Sequence, residues 1–347
     1  MSQPGFLMSE LLMPEEALST GDDGAEGASA SVPWSFYAQN TFRRCQSEFL
    51  FGHIMANHHP TNQERREAFV LKQLQDLPTW RGSLVDIGIE KFIVPYLKSR
   101  QLPPLDEVVE KTLAVAQRQW QFSAQKRYWD PAFTKTANRD IFCALYPHEY
   151  GLPVGTADLE QVKADVRVAF ETLYTQTRFL NLLMGHSWYR PKMRIHFRVA
   201  AASVKAELDL LFFRGNNQPT IIDWKAGHSV KSDYTWQMLV YALAVRRQWP
   251  EVQPTDIVVY EVNLAEGVIK NHPVTEERLV QTEDYIYQSV MEIKALTCGR
   301  KFSQQNLEAF DLANTPRTCA ICNFRRLCLT MRARQEDHHA SCESVWD

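Results

Sequence analysis

Asp209, Asp223 and Lys225 are the residues whose types and spacing could do chemistry in this 347-residue chain. Two carboxylates brought side by side repel unless a cation lies between them, and hard oxygen ligands with room for water suit Mg²⁺ or Mn²⁺. A lysine two residues from a metal-binding aspartate can orient an attacking water and offset the charge that grows on a scissile phosphate. The chemistry so described is phosphodiester hydrolysis. Alone, an Asp and a Lys two apart are an ordinary solvated strand end. Here Gln237 and Tyr241 follow, four apart and therefore on one face of a helix.

The residues that must position these groups run from Val204 to Tyr241. Apolar runs at Leu210–Phe213 and Ile221–Ile222 predict two strands, joined by a turn from Arg214 to Pro219 centred near Asn216 and Asn217, then a loop and a helix. That hairpin lays Asp209 beside Asp223 and Trp224, and strand alternation points Asp223 and Lys225 to one face and Trp224 to the other.

Asp209, then Asp223-Trp224-Lys225, then Gln237 and Tyr241 resemble motifs II, III and IV of the PD-(D/E)XK nucleases, in the RecB-like branch. Lys225 is followed by Ala226-Gly227 where that branch often has Thr-Gly. Its motif I is a G-x-x-x-H helix. In WRGSLVDIGIEKFIVPYL Gly82 matches the glycine, and Asp86, sharing a face with Glu90, stands where the histidine is common. The resemblance implies an α/β fold, a restriction-endonuclease-like core with a mixed central sheet flanked by helices. It further implies that Asp209 and Asp223 hold Mg²⁺ or Mn²⁺ with Asp86 and the carbonyl of Trp224, that Lys225 positions the water, and that Gln237 and Tyr241 brace the site or meet DNA.

Composition sets the frame. The first 31 residues contain six acids and no Lys or Arg, which predicts a disordered acidic arm and not a signal peptide. Setting those six acids aside turns the formal charge of −3 into about +3 for the rest, which permits nucleic-acid contact without demanding it. Thereafter residues 32–103 read as a helical part carrying motif I, 104–190 as a helical insert, 191–300 as the nuclease core, 301–330 as a cysteine-rich segment and 331–347 as a polar tail. Strands are expected at Pro191–Ala200 and as a pair around an Ala265-Glu266-Gly267 turn, and a long helix opens at Thr275 as N-cap. Within the insert, Trp120, Phe122, Lys126, Arg127, Tyr128 and Trp129 mix rings with positive charge; a core face with snorkelling bases is the preferred reading over a strand-binding platform. There is no membrane-length apolar run and no phosphate-binding G-x-x-x-x-G-K-[ST] loop.

Seven cysteines without an export signal predict a reducing, cytoplasmic setting in which spaced cysteines hold metal. Cys319, Cys322 and Cys328 form such a group but leave a fourth ligand to be found. The nuclease branch that includes the AddB-type and CRISPR-associated exonucleases has one cysteine before the core and three after it, holding a [4Fe-4S] cluster. Cys45 and the C-terminal trio resemble that layout, which implies termini tied by the cluster; zinc fits the spacing as an alternative. Cys143 and Cys298 read as buried thiols, the His58-His59 pair as loop decoration, and His338, His339 and Cys342 as parts of a frayed tail. Arg325 and Arg326 either contact phosphate or form salt bridges with the protein surface.

The function expected is a metal-dependent DNA nuclease, an exonuclease on single-stranded ends in repair, recombination or defence, working alone or with a helicase or recombination partner. The alternative is a catalytically silent DNA-binding subunit, for which the replaced motif I histidine speaks. The residue pattern does not separate DNA from RNA.

Overall fold

The computed structural model describes residues 32–57, 62–200, 202–215, 218–227, 233–298, 300 and 304–343, with side chains as far as residue 334. The acidic arm, His58, His59, Asn216 and Asn217 lie outside the described residues, as do the side chains of His338, His339 and Cys342.

A six-stranded mixed sheet carries the fold. Its backbone is β3 (Ala202–Arg214), flanked antiparallel by β2 (Tyr189–Val199) and by β4 (Gln218–Lys225); β5 (Val258–Asn263) runs parallel to β4, and β6 (Val268–Asn271) closes the far edge. A short β1 (Val32–Trp34) pairs parallel with Ala202–Val204. Because β2 occupies one edge of β3 over its length, β1 and β4 share the other. Between Val204 and Leu210 that edge has no strand partner among the described residues. Asp209 lies in this gap.

Helices cover both faces, as their apolar spacing requires. On one side α4 (Leu77–Gly88), α6 (Leu105–Ala124), α8 (Thr156–Thr175) and α9 (Thr177–Leu183) pack on Leu210, Phe212, Ile222 and Trp224. On the other, α1 (Phe36–Arg44), α10 (Thr235–Gln248) and α11 (Glu276–Thr297) pack on Val204, Ala206, Leu208, Leu211 and Ile221. The even-numbered side chains of β3 thus change faces across Asp209. Thr275 caps α11 through its hydroxyl, and Gly267 (φ +68°) makes the β5–β6 turn, both as the residue types predict.

The approach of α4 is set by Gly88 and not by Gly82. A Cβ at Gly88 would lie 2.4 Å from Phe170 Cζ and 2.6 Å from Thr112 Oγ1, whereas one at Gly82 meets nothing within 4 Å. After Gly88 the helix passes into a π-turn, Ile89–Ile93. The extra residue of such a turn rotates the later side chains by about 100° around the helix axis. Asp86 and Glu90 therefore do not act on one face: Glu90 pairs with Arg139, its Oε1 2.6 Å from Nη1.

A third core joins the chain's two ends. Leu50, Phe51 and Met55 meet Phe122, Tyr128 and Phe142 of the insert and Leu307, Phe310, Phe324 and Leu327 from the C-terminal side. Phe122 and Tyr128 are thus core residues, and Lys126 spends its ammonium on the Glu149 carbonyl at 2.9 Å. Trp129 donates to Glu149 Oε2 at 2.9 Å and the Arg127 guanidinium lies over the Phe133 ring, so the rings and bases of this one stretch are engaged within the protein. Among the described residues no helix is long and apolar enough to cross a membrane.

Candidate active site and cysteine-lined cavity

Asp209, Asp223 and Lys225 meet where β3 and β4 part. The Trp224 amide donates to Asp209 Oδ2 at 2.9 Å, so the backbone of β4 turns one carboxylate toward the other. Asp223 is almost fully buried, and Lys225 Nζ lies 2.7 Å from its Oδ2. The Lys225 ammonium is thus the charge partner of a carboxylate oxygen that is otherwise closed off from donors among the described residues. A carboxylate so buried is tolerated beside a cation, which Lys225 supplies here. Lys225 also donates to Gln237 Oε1 at 3.2 Å, Gln237 Nε2 donates to the Tyr241 hydroxyl at 2.6 Å, and the ammonium stands 4.1 Å from the Tyr234 ring centroid. The first turns of α10 therefore hold the lysine in one direction.

Asp86 joins from α4 through a residue that sequence reasoning missed. Lys192 Nζ donates to Asp86 Oδ2 and to Asp209 Oδ1, each at 2.6 Å. Lys192 lies opposite Asp209, bracketed by the pairs Pro191↔Leu210 and Met193↔Leu208, and its φ is +49°. A lysine in the left-handed region costs about 1–3 kcal/mol, and the bridge offsets that strain. The only signal for it was charge alternating along PKMRIHFRVA, which ordinarily marks a solvated face.

The electrostatics follow from burial. Desolvation, then the neighbouring Asp209, raises both Asp86 and Asp223 to about 7, with Lys192 and Lys225 opposing. Burial works against the charge of Lys192 and Lys225, but Asp209 and Asp86 outweigh it for the first and Asp223 for the second, so both ammoniums are held above the usual lysine range. Burial, reinforced by Asp223 and Asp209, keeps Tyr241 a neutral phenol. Among the described residues no three His, Cys, Asp or Glu side chains are drawn together as a metal site. Two ammonium groups stand among the carboxylates instead. The oxygen-only donor set of Asp86, Asp209 and Asp223 fits a hard divalent ion.

Cys45, Cys319, Cys322 and Cys328 line one largely apolar cavity of ≈ 310 Å³. Cys45 ends α1 and caps α2 (Gln46–Phe49), its sulfur accepting from the Glu48 amide at 3.4 Å; Cys322 accepts from the Phe324 amide at 3.4 Å. Cys319 sits on the short helix α12 (Pro316–Ala320), and Cys328 on α13 (Arg325–Glu343). Burial raises the thiols of Cys45 and Cys328 and pushes Cys322 up to about 12. The four thiols share this cavity, although among the described residues no three of them are drawn together as a metal site. Cys143 is buried apart from this group, and Cys298 is exposed, contrary to its expected burial: it stands at φ +49° just past the end of α11. Arg326 pairs with Glu67 and Glu149, and the Arg325 guanidinium lies 4.0 Å from the Tyr150 ring centroid, so both arginines are engaged within the protein.

No curated protein sequence matches the chain. The crystal structure of SSO0001 overlaps it at 12% identity and a TM-score of 0.26, covering 53% of this chain and 78% of its own. A predicted exonuclease from Eubacterium rectale overlaps at 14% identity and a TM-score of 0.30, covering 77% of this chain and 92% of its own. The profile of one family spans residues 33–329, from the first strand to the last cysteine of the cavity. By that span, and with a mixed sheet presenting Asp209, Asp223 and Lys225 where β3 and β4 part, the chain belongs to the PD-(D/E)XK nuclease superfamily.

Proposed function

We propose that the chain is a metal-dependent deoxyribonuclease of the RecB-like kind, acting on single-stranded DNA ends, with a [4Fe-4S] cluster tying its two ends. The observation that carries the reading is the meeting of Asp209, Asp223 and Lys225 where β3 and β4 part, with Asp223 almost fully buried and the Lys225 ammonium 2.7 Å from its Oδ2. Asp209, Asp223, Asp86 and the carbonyl of Trp224 would hold Mg²⁺ or Mn²⁺, which supplies Lewis-acid polarisation of the phosphate and a water of lowered pKa. Lys225, fixed by Asp223 and Gln237, directs its ammonium at the attacking water and at the charge developing on the phosphoryl oxygens. Tyr241 holds Gln237, and so holds the lysine's direction. Cys45, Cys319, Cys322 and Cys328 would ligate the cluster, whose part is structural: it joins the segment after β1 to the end of the fold.

The test is anaerobic purification with an absorbance spectrum and iron and sulfide assay, followed by degradation of end-labelled single-stranded DNA with Mn²⁺. The expected result is about four irons per chain and cutting that falls on the order of 10²–10³-fold or more in Asp223→Ala. Iron without cutting would replace this reading with the silent DNA-binding subunit. Zinc in place of iron would leave the nuclease standing and remove the branch assignment.

A further inference from the structure

Beside the carboxylates lies a second polar cleft of ≈ 560 Å³, to which Asp86 and Lys192 belong on one side. Its remaining charged lining is Lys135, Arg139, Arg194 and Glu207, so four cations face two carboxylates. Three of the cations are already matched: Lys192 by Asp86 and Asp209, Arg139 by Glu90, Arg194 by Glu207 at 2.8 Å. Lys135 has no ion pair among the described residues. Although it keeps much of its surface in contact with solvent, desolvation by the cleft walls lowers its pKa, with Cys143 and Glu207 opposing and Arg139 and Lys192 adding to the effect. The lining also includes uncharged hydrogen-bonding groups, Gln73, Gln75 and Ser83, and Phe142 and Ile87 supply apolar surface. A volume of this size lies in the ordinary range for a small ligand.

Resting on the nuclease reading, we infer that this cleft seats one nucleotide of the strand next to the scissile phosphate, its backbone phosphate held by Lys135 and its base lying toward Gln73, Gln75 and Ser83. Lys135, which has no ion pair among the described residues, offers the cleft a cation for an anion, and the shared lining with Asp86 and Lys192 makes the cleft continuous with the reacting centre. A phosphate there gives Lys135 a counter-ion. Its neighbour along the strand then falls toward Asp209 and Asp223. The insert, which supplies Lys135, Arg139 and Phe142, thereby becomes the substrate-binding half of the site.

The experiment is fluorescence anisotropy in EDTA with a labelled oligothymidylate of about 16 nucleotides, over a salt series, with cutting in Mn²⁺ measured on the same preparations. Lys135→Ala is expected to weaken binding roughly 3- to 10-fold and to lower the slope of log affinity against log salt by about 0.7, the loss of one single-strand phosphate contact. Lys135→Glu should weaken it further, while Lys98→Ala, an exposed cation outside the cleft, should match wild type. Thermal unfolding checks that each variant is folded. Unchanged affinity and slope in both Lys135 variants, with wild type still cutting, overturns the cleft and leaves the nuclease. Binding that depends on Lys135 in a protein that does not cut upholds the cleft as a strand-binding site and removes the nuclease reading. A wild type that binds no DNA overturns both.

Discussion

Replacing Lys192 by methionine removes the ammonium that joins Asp86 to Asp209 while keeping most of the side chain's bulk. Both contacts are 2.6 Å and the three side chains are mostly buried, so two carboxylates are left facing each other with little water to separate them. Breaking a buried pair in this way costs about 3–5 kcal/mol. Relief of the φ +49° strain is not part of the change, because methionine carries the same Cβ. At about 2 °C per kcal/mol for a chain of this length, the unfolding temperature in EDTA should fall by about 6–10 °C. A divalent ion then substitutes for the lost charge: at a hundred times its dissociation constant Mn²⁺ adds about 2.7 kcal/mol. In wild type the same ion must compete with Lys192, and its effect should be smaller. Differential scanning calorimetry of both proteins, in EDTA and in Mn²⁺, reads both quantities. Equal unfolding temperatures in EDTA, or equal Mn²⁺ shifts in the two proteins, would show that Lys192 does not occupy the cation's position.

Arg326→Ala should destabilise by about 2–3 kcal/mol in urea unfolding, because it strips the cation from buried Glu149 but leaves the hydrogen bonds from Tyr128 and Trp129, each at 2.9 Å. A loss under about 0.5 kcal/mol would mean that the pair is a solvent-screened surface contact. His53, stacked on Phe49 at 5.1 Å, is lowered to about 3 by burial and then by Lys72. Its native pKa lies below the unfolded value of 6.5, so the unfolded chain binds the extra proton between them, and stability present above pH 6.5 is lost as the pH falls toward 3. At pH 5 the loss should be about 1–2 kcal/mol, allowing for partial solvent screening, and His53→Phe should flatten that part of the profile. A profile identical in the variant would assign the acid sensitivity to other groups.

The order of strands and helices was legible because local chemistry and tertiary demand agree along most of the chain. The β3–β4 hairpin has apolar runs with turn residues between them, α11 has its Thr275 cap, and β5–β6 has Gly267 where a positive φ is required. What could not be read were relations set by one residue's backbone or by a change of helical period. Lys192 looks like any outward lysine of an alternating strand until its φ of +49° and the unpaired stretch of β3 turn it onto Asp209. Glu90 shares a nominal face with Asp86, and the π-turn at Ile89–Ile93 takes it to Arg139. Gly82 fits a motif by spacing, yet the close helix approach is at Gly88. The four cysteines were the opposite case: nothing local relates Cys45 to the C-terminal trio, and the resemblance to a family grouped residues that the fold brings around one cavity.

The charge inventory of the sheet edge joins these points. Asp86, Asp209 and Asp223 face Lys192 and Lys225, so the fully ionised cluster carries one net negative charge in a buried place. Burial and the neighbouring Asp209 work against that excess by raising Asp86 and Asp223 above the ordinary carboxylate range, with Lys192 and Lys225 opposing. A divalent cation would reverse the balance to one net positive charge, and a single phosphodiester would bring it to zero. The arrangement is therefore short of neutral until metal and substrate are both present. A cluster with one ammonium fewer would hold a metal more tightly and accept an anionic strand less readily. Lys192 thus trades metal affinity for compatibility with a phosphate, which is why its removal should strengthen Mn²⁺ binding and weaken capture of the strand in the adjoining cleft.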